Sequence, residues 1–338
     1  RDGLFLSARN RTVKKGLRHM RSFRFANRNP FHRSIGYGRL LDSRSKKRNL
    51  AFFLGASAVA IPLSLHYFNP DAKYFFGSAA EPLSQQYFNK FVVTNNQEIE
   101  RNLYLIELEP SQSTKSLPWS NQKIWSVQLK NPLIQIARHY TPLPVHLDPG
   151  ALQKSNEVVL VPNSDEDARF CLLVKKYNDG DMTRYICSRN IGDTLELRGP
   201  SNDYIHDEAH ISKFVMLTAG TGITVPLQLL LSEKEKSHIY TEVLQSSNIE
   251  LPLVLRRLME DLEKNGIAKF HEFDDNSRKF VTANDIPLAT SSSLAFVCGP
   301  NGYINYISGP PGRNGLAPVG GLLRDRNWGI KNTIRLID

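Results

Sequence analysis

The stretch Arg138-His139-Tyr140-Thr141-Pro142 ends a short apolar run and brings together side chains of different chemistry. The Arg138 guanidinium is a charged fork that matches phosphate oxygens. Tyr140 offers a flat ring with a hydroxyl, and Thr141 adds a second, smaller hydroxyl. Together these groups suit a phosphorylated aromatic cofactor, but the stretch carries little information alone. Its meaning depends on the segments around it.

Short β-rich segments separated by turn residues surround this stretch. Closely spaced strands with little helical periodicity are typical of barrels and sandwiches, so we predict a β-barrel domain over residues 82–208. The insert Thr141–Asp167, which contains several prolines and acids, is predicted to be a loop. The predicted strands are Phe88–Thr94, Leu103–Leu108, Ile124–Leu129, Leu133–Arg138, Phe170–Tyr177 and Thr194–Leu197.

From about Ile211 onward, apolar strands alternate with helical patterns. This alternation predicts an α/β doubly wound parallel sheet over residues 209–338, in which ligands bind beyond the carboxyl ends of the strands. The predicted strands are Phe214–Ala219, His238–Leu244, Ala268–Phe273 and Leu294–Val297, and the predicted helices are Val225–Leu231 and Leu251–Asn265.

Two glycine-containing turns fall at that carboxyl edge. Gly220-Thr221-Gly222 follows the first strand and precedes a helix, and Cys298-Gly299-Pro300 follows a later strand. Glycine lets the backbone approach a ligand closely, and a helix N-terminus offers free amides to a pyrophosphate. Each turn is weak evidence alone, since many strand-to-helix turns need glycine and Cys298, taken alone, is better explained as a buried cysteine before a turn.

A fourth block joins the two regions. Lys175-Lys176-Tyr177 is followed by Gly180-Asp181-Met182-Thr183, and then by the run from Gly192 to Pro200. The middle segment predicts a turn rich in backbone donors near a helix start, with Thr183 as the cap.

In their order and spacing, these blocks resemble the ferredoxin-reductase-type flavoproteins, and most closely the NADH–cytochrome b5 reductase branch. That family reads R-x-Y-[ST], G-x-M-[ST], G-D-x-[hydrophobic]-x-x-x-G-P, G-T-G-I-T-P and C-G-P. The resemblance covers about Pro82 to the C-terminus. It implies hydride transfer from NADH or NADPH to FAD, followed by single-electron transfer to an acceptor.

The resemblance also implies roles for individual residues. Thr141 and Cys298 are expected beside the reacting atoms, and the Gly220–Gly222 turn and Thr224 are expected around the nicotinamide and the flavin. The full set of implied cofactor-binding residues is Arg138, His139, Tyr140, Thr141, Lys175, Gly180, Asp181, Met182, Thr183, Gly220, Thr221, Gly222, Thr224, Cys298, Gly299 and Pro300.

The chain departs from the family pattern at several places. Pro144 stands where the family often has Ser, Val225 precedes Pro226 in the glycine turn, and Tyr303 stands where the family often has Met. The segment Gln245–Asn248, predicted beside the adenosine ribose, has neither an acid nor an Arg pair. The sequence therefore leaves NADH and NADPH as alternatives.

The N-terminal region has a different composition from the body. Residues 1–49 contain 15 Lys or Arg and two acids, and this acid-poor basic composition predicts a mitochondrial targeting leader. The next segment, Leu50–Phe68, has no Asp, Glu, Lys or Arg, and as a helix of about 28 Å it is predicted to cross a bilayer. Residues 69–81 are predicted as a linker. A disordered basic tail and a buried helix are the alternatives.

The distribution of charge argues against nucleic-acid binding. Of the net charge of +10, residues 1–49 carry +13, so the remaining chain carries −3. A nucleic-acid footprint needs basic residues on a folded surface. The three cysteines have no disulfide, zinc or iron–sulfur spacing, and no metal site is predicted.

The layout of leader, anchor and reductase module also resembles a fungal mitochondrial family of FAD proteins that act in haem attachment to cytochrome c. This resemblance implies haem iron as the electron acceptor, with cytochrome c or its haem lyase as partners. It also implies a single-pass protein of the inner membrane whose main body faces the intermembrane space. A cytochrome b5 or quinone reductase, and a non-catalytic FAD-containing assembly factor, are the alternatives.

Overall fold

The computed structural model describes residues 81–151, 157–164, 167–206, 209–232, 239–312 and 317–337. The predicted leader (1–49), the predicted membrane helix (50–68) and all but the last residue of the predicted linker (69–81) lie outside the described residues. Across the described ranges, none of the helices combines the length and apolar character that a membrane span requires.

The first part of the described chain is a curled antiparallel sheet of six strands in the order β4-β3-β8-β1-β2-β7. Its two edges meet where Leu143, just after β4, exchanges two backbone hydrogen bonds with Cys171 in β7. This closure confirms the predicted barrel. The strands are β1 Asn89–Glu100, β2 Leu103–Pro110, β3 Lys123–Asn131, β4 Ile136–Tyr140, β7 Phe170–Lys175 and β8 Thr194–Ile205, and helix α1 (Asp181–Cys187) lies between the last two.

Two sequence predictions for the barrel were wrong in detail. The strand predicted from Leu133 begins only at Ile136, because the apolar Leu133 is 83% exposed in the turn before it and Gln135 has a positive φ of 55°. The insert Thr141–Asp167 is not all loop, since β5 (Val145–Leu147) and β6 (Leu160–Pro162) pair within it. Three-residue strands leave too little alternation for a sequence pattern to detect.

The second part is a five-stranded parallel sheet in the order β11-β10-β9-β12-β13. The chain builds outward from β9 in one direction and then returns to add β12 on the other side, so the switch point lies between β9 and β12. Ligands bind at such switch points in open α/β sheets. The elements are β9 Lys213–Ala219, α2 Thr224–Leu231, β10 Tyr240–Ser247, α3 Leu253–Lys264, β11 Ala268–Asp274, β12 Ser293–Cys298, α4 Asn301–Ser308, α5 Gly321–Arg324 and β13 Thr333–Leu336.

The predicted doubly wound sheet is confirmed, with two differences. Strand β10 continues to Ser247, so most of the segment predicted to follow it belongs to the strand itself. Strand β13 was not predicted, because four residues next to β12 form too short a pattern. The predicted domain boundary at 208/209 falls between the end of β8 and the start of β9, and it stays a prediction about independently folding units.

One apolar core runs through both sheets. Barrel residues such as Leu105 and Leu143 pack in the same cluster as Met216 and Val243 of the parallel sheet. A second core fills the barrel around Phe91 and Phe170, and a third covers the other face of the parallel sheet. The shared core holds the two sheets against each other.

Candidate functional site

A cavity of about 1300 Å³ lies between the barrel and the carboxyl ends of the parallel strands. It exceeds the roughly 300–1000 Å³ typical of one small-molecule pocket, so it has room for more than one bound group. The structure brings all predicted cofactor residues into this lining: Arg138, His139, Tyr140, Thr141, Lys175, Gly180, Asp181, Met182, Thr183, Gly220, Thr221, Gly222, Thr224, Cys298, Gly299 and Pro300.

The barrel side of the cavity presents two cations that no described carboxylate neutralises. The Arg138 guanidinium, in the middle of β4, donates to the Ala137 carbonyl at 3.0 Å. The Lys175 amine, at the end of β7, donates to the Asn248 side-chain oxygen at 2.9 Å. Each keeps donors for a further partner, and a phosphate is the group that such donors bind best.

Hydrogen bonds hold the side chains around His139, in the motif Arg138–Thr141. Ser126 Oγ in β3 lies 3.1 Å from His139 Nδ1 and 3.3 Å from Asp203 Oδ1 in β8. Strands β3, β4 and β8 are neighbours in the sheet, so these residues meet across the ladder. All three line the cavity, and the sequence did not single out Ser126 or Asp203.

The turn before α1 does not use Thr183 as the predicted cap. Gly180 occupies the N-cap position, and no side chain caps the helix. The Thr183 hydroxyl instead accepts from the Tyr177 N–H and donates to the Gly180 carbonyl, both at 3.1 Å. The chain folds back over the first helical turn so closely that a Cβ at Gly180 would lie 2.6 Å from this hydroxyl.

The two glycines of the turn after β9 are required for different reasons. Gly220 has a φ of +57° with open space around it, so its backbone conformation favours glycine. Gly222 has no such φ, but a Cβ there would lie 2.8 Å from the Cys298 carbonyl oxygen. Beneath the turn, Gln245 donates to the Gly220 carbonyl at 3.0 Å and accepts from Thr218 at 2.6 Å.

The second turn, at the end of β12, packs directly on the first. Gly299 has a φ of +151°, and a Cβ there would lie 3.0 Å from Ala219 and 3.2 Å from the Tyr303 ring. The Tyr303 hydroxyl oxygen is buried and has no hydrogen-bond partner of ordinary length among the described residues. Burial raises the pKa of this hydroxyl far above its usual value, and the neighbouring Ser246 offsets part of that rise.

The departures around α2 leave the helix intact. Val225 is buried, and Pro226 lies in the first helical turn, where the missing N–H of proline removes no intrahelical bond. The Thr224 hydroxyl donates to the Thr221 carbonyl at 2.9 Å, which ties the start of α2 to the glycine turn.

An acid lies at the sheet edge where the sequence predicted none. Asp275 follows β11, lines the cavity beside Ser246 and Ser247, and donates its N–H to the Ser247 carbonyl at 2.9 Å. Its carboxylate forms no ion pair or hydrogen bond with any residue that the structure describes. Burial and the adjacent Asp274 raise the pKa of Asp275. The sequence did not predict Asp275 because this acid follows the neighbouring strand, β11, rather than β10.

The chain is similar to known proteins in the same region. The model of the oxidoreductase FAD-binding domain family matches residues 158–205. The cytochrome c mitochondrial import factor of Saccharomyces cerevisiae is 27% identical, over 75% of this chain and 84% of its own length. NADH-cytochrome b5 reductase 1 of Debaryomyces hansenii is 30% identical, over 46% of this chain and 55% of its own length.

A solved structure supports the fold. The cytochrome b5 reductase domain of Ulva prolifera nitrate reductase superposes with a TM-score of 0.58 and covers 76% of this chain and all of its own length. At 17% identity, this similarity concerns the arrangement of the two sheets. Both have the ferredoxin-reductase-like combination of a curled antiparallel sheet and a parallel sheet.

Proposed function

This chain contains an FAD-binding oxidoreductase domain and has NADH-cytochrome b5 reductases among its homologues, and from that premise we propose that it transfers a hydride from NADH to bound FAD and passes the electrons singly to haem iron. The observation that carries the proposal is that residues of four predicted motifs, at 138–141, 180–183, 220–224 and 298–300, line one cavity. A hydride brings two electrons, so each NADH reduces two ferric haems and releases one proton.

The barrel side holds FAD in this proposal. Arg138 binds the phosphate, because its guanidinium has donors to spare and no carboxylate partner among the described residues. Tyr140 and Thr141 contact the ribityl chain and the ring, His139 lies at the same rim, and Lys175 lies beside the flavin. When bound, FAD supplies the change from two-electron to one-electron chemistry, while the protein positions it.

The turn before α1 receives the pyrophosphate and adenosine part of FAD. Because the Thr183 hydroxyl is engaged within the turn, Thr183 acts by holding the loop, and the contacts come from the backbone of Gly180, Asp181 and Met182. Asp181 itself is paired with Arg184 at 2.5 Å, which reduces its repulsion of a phosphate.

The sheet side holds the nicotinamide. The turn from Gly220 to Gly222 and the turn from Cys298 to Pro300 approach each other so closely that they form one backbone wall, against which a flat ring can lie. Thr224 reaches toward the flavin from this side. Thr141 and Cys298 are the residues proposed beside the reacting atoms, one from each side of the cavity.

NADH is the donor that the sheet edge favours. An unpaired carboxylate at Asp275 can accept a hydrogen bond from a ribose hydroxyl and repels the additional phosphate of NADPH. The choice of NADH as donor thus follows from the negative charge of Asp275 at the end of β11.

The acceptor and location in the proposal rest on the similarity to the yeast cytochrome c mitochondrial import factor. We assign this chain to the mitochondrial inner membrane, anchored by residues 50–68 after a leader at 1–49, with the FAD domain 82–208 and the NADH domain 209–338 facing the intermembrane space. Ferric haem destined for cytochrome c, or haem held by its lyase, is the proposed acceptor.

A second candidate is favoured by the similarity to the Debaryomyces hansenii enzyme, namely reduction of a cytochrome b5. The test is anaerobic reduction of the purified protein with NADH, followed by mixing with ferric haem, a cytochrome b5 or a quinone. We expect ferric haem to reoxidise the flavin fastest. Faster reoxidation by cytochrome b5 or a quinone would favour those alternatives, and a flavin that stays oxidised in excess NADH would indicate a non-catalytic assembly factor.

A further inference from the structure

A buried glutamine joins the two sides of the cavity. Gln228, in the second turn of α2, is fully buried and lies against the barrel. Its Oε1 accepts from the Trp125 N–H at 2.9 Å. Its Nε2 donates to the carbonyls of Trp125 and Pro142, each at 2.9 Å. The side-chain amide therefore makes three hydrogen bonds to two barrel segments.

These bonds replace a missing piece of the β ladder. Strand β3 pairs with β4 so that Val127 lies opposite Tyr140. Continued by two residues, the same register would place Trp125 opposite Pro142. Proline has no N–H to donate, so the ladder cannot continue there. The Gln228 amide supplies both the acceptor and the donor that Trp125 would otherwise lack in a buried position.

The position of Gln228 connects the proposed flavin and nicotinamide residues. Pro142 directly follows Thr141, the barrel residue proposed beside the reacting atoms. On α2, Gln228 lies four residues after Thr224 and therefore on the same face of the helix. Thr224 lines the cavity and is bonded to the glycine turn through the Thr221 carbonyl. Only one helical turn separates the hydrogen bonds of Gln228 from the proposed nicotinamide wall.

We propose that Gln228 is a positioning residue that sets the distance between the nicotinamide wall and the flavin ring. This inference rests on the proposed hydride transfer. Hydride transfer needs the reacting atoms at near-attack separation, and an error of about 1 Å can lower the rate about a hundredfold. A shared apolar core resists separation of the sheets but does not fix their register, because apolar packing is not directional. The three hydrogen bonds of Gln228 are directional and fix that register.

The test compares Gln228→Leu and Gln228→Glu with the control Ser232→Ala. Leucine keeps the apolar volume and removes all three bonds. Glutamate keeps an acceptor for Trp125 but loses the donors, and one donor returns when its carboxyl is protonated. Ser232 is buried in the turn that ends α2, and among the described residues its hydroxyl bonds only to the Gln228 carbonyl, so its removal leaves the contacts with the barrel intact.

We expect Gln228→Leu to retain FAD and to bind NADH within about twofold of the parent protein, while the anaerobic rate of flavin reduction falls about tenfold or more. Hydrogen exchange at the Trp125 amide should become faster. In Gln228→Glu, both the flavin reduction rate and Trp125 protection should recover in part as the pH falls, whereas Gln228→Leu should show no such recovery. Ser232→Ala should match the parent protein in both measurements.

Two results would overturn the inference. One is an unchanged rate of reduction per bound flavin in Gln228→Leu. The other is a loss of FAD, NADH binding and global stability together, with no pH-dependent recovery in Gln228→Glu, which would make the residue structural only. If the parent flavin is not reduced by NADH, the proposed function fails. In that case Trp125 exchange in the two variants still tests whether Gln228 holds the sheets in register.

Discussion

The two sides of the cavity differ in how they present charge. The barrel side offers the cations Arg138 and Lys175, neither of which has a carboxylate partner among the described residues. The sheet side offers glycine turns and one carboxylate, Asp275. Its own lining cation, Arg335, donates to the carbonyls of residues 308, 317 and 318 at 2.8–3.1 Å and so has donors already in use.

This difference indicates different kinds of occupant. Free cations hold a phosphate-bearing group tightly, which suits a resident cofactor. A wall of backbone with one acid binds mainly by shape and hydrogen bonding, which suits a dinucleotide that must leave after each turnover. We expect the close packing of the turns Gly220–Gly222 and Cys298–Pro300, together with the charge of Asp275, to determine which dinucleotide binds.

Removing Arg138, one of the two cations of the barrel side, should have the largest effect. Arg138→Ala deletes the charge-assisted bonds to the FAD phosphate, about 1.5–3 kcal/mol, and should weaken FAD binding about 10- to 100-fold. Flavin content after purification and a titration of the apoprotein with FAD measure this. The control is Arg189→Ala, which removes an arginine that pairs with Asp193 outside the cavity. Full flavin occupancy in Arg138→Ala would refute its assignment.

The two glycines of the sheet side offer a matched test. Gly222→Ala places a methyl group against the Cys298 carbonyl and should cost about 1–3 kcal/mol. Gly220→Ala strains a positive φ and should cost about 1–2 kcal/mol without moving the second turn. Urea unfolding should therefore give similar losses, but Gly222→Ala should impair flavin reduction by NADH more strongly than Gly220→Ala. Equal impairment in both variants would contradict the proposed wall.

The acid of the sheet side should control the choice of dinucleotide. Asp275→Ser removes repulsion of about 1–1.5 kcal/mol against the additional phosphate of NADPH, so the preference for NADH should fall about five- to tenfold. The concentration dependence of anaerobic flavin reduction by NADH and by NADPH measures the ratio. Asp274→Ser is the control, because Asp274 is exposed and its carboxylate bonds to the turn at Asn276. An unchanged ratio of NADH to NADPH in Asp275→Ser would show that Asp275 does not determine the choice of donor.

The smallest effect is expected for the ion pair between Asp167 and Arg169. This pair lies outside the cavity lining, so it tests stability apart from function. Burial tends to raise the pKa of Asp167, but hydrogen bonds from Arg169 outweigh it, and the pKa is lowered overall. The ionised carboxylate therefore stabilises the folded state at pH values above the unfolded pKa of about 4. This stabilisation is lost as the pH falls through the lower pKa of the folded state. Asp167→Asn should cost about 1 kcal/mol at pH 7 and almost nothing in strong acid. Urea unfolding at several pH values measures this, and a constant difference would contradict it.

The site was predictable from sequence where a short motif carries all the chemistry. Arg138, Gly220 and Cys298 each lie in a contiguous motif at a strand end, and strand ends on one side of a sheet meet in space. The barrel followed from closely spaced strands. Its closure through Leu143 and Cys171 did not, because a two-residue bridge has no pattern of its own.

The residues that were missed act across the fold. Asp275 lines the cavity just after β11, whereas the segment predicted beside the ribose, Gln245–Asn248, contains no acid. Gln228 lies in an apolar helix, where a single amide looks like an interruption until Trp125 and Pro142 are brought against it. Only the tertiary packing reveals such partners.

The most direct test of the central claim is an anaerobic titration of the purified protein with NADH, followed through the visible absorbance of the flavin. If the barrel side holds FAD and the sheet side presents the nicotinamide to it, the absorbance should disappear at about one NADH per flavin, as two-electron transfer requires. A protein that keeps its full flavin absorbance in excess NADH would contradict the claim.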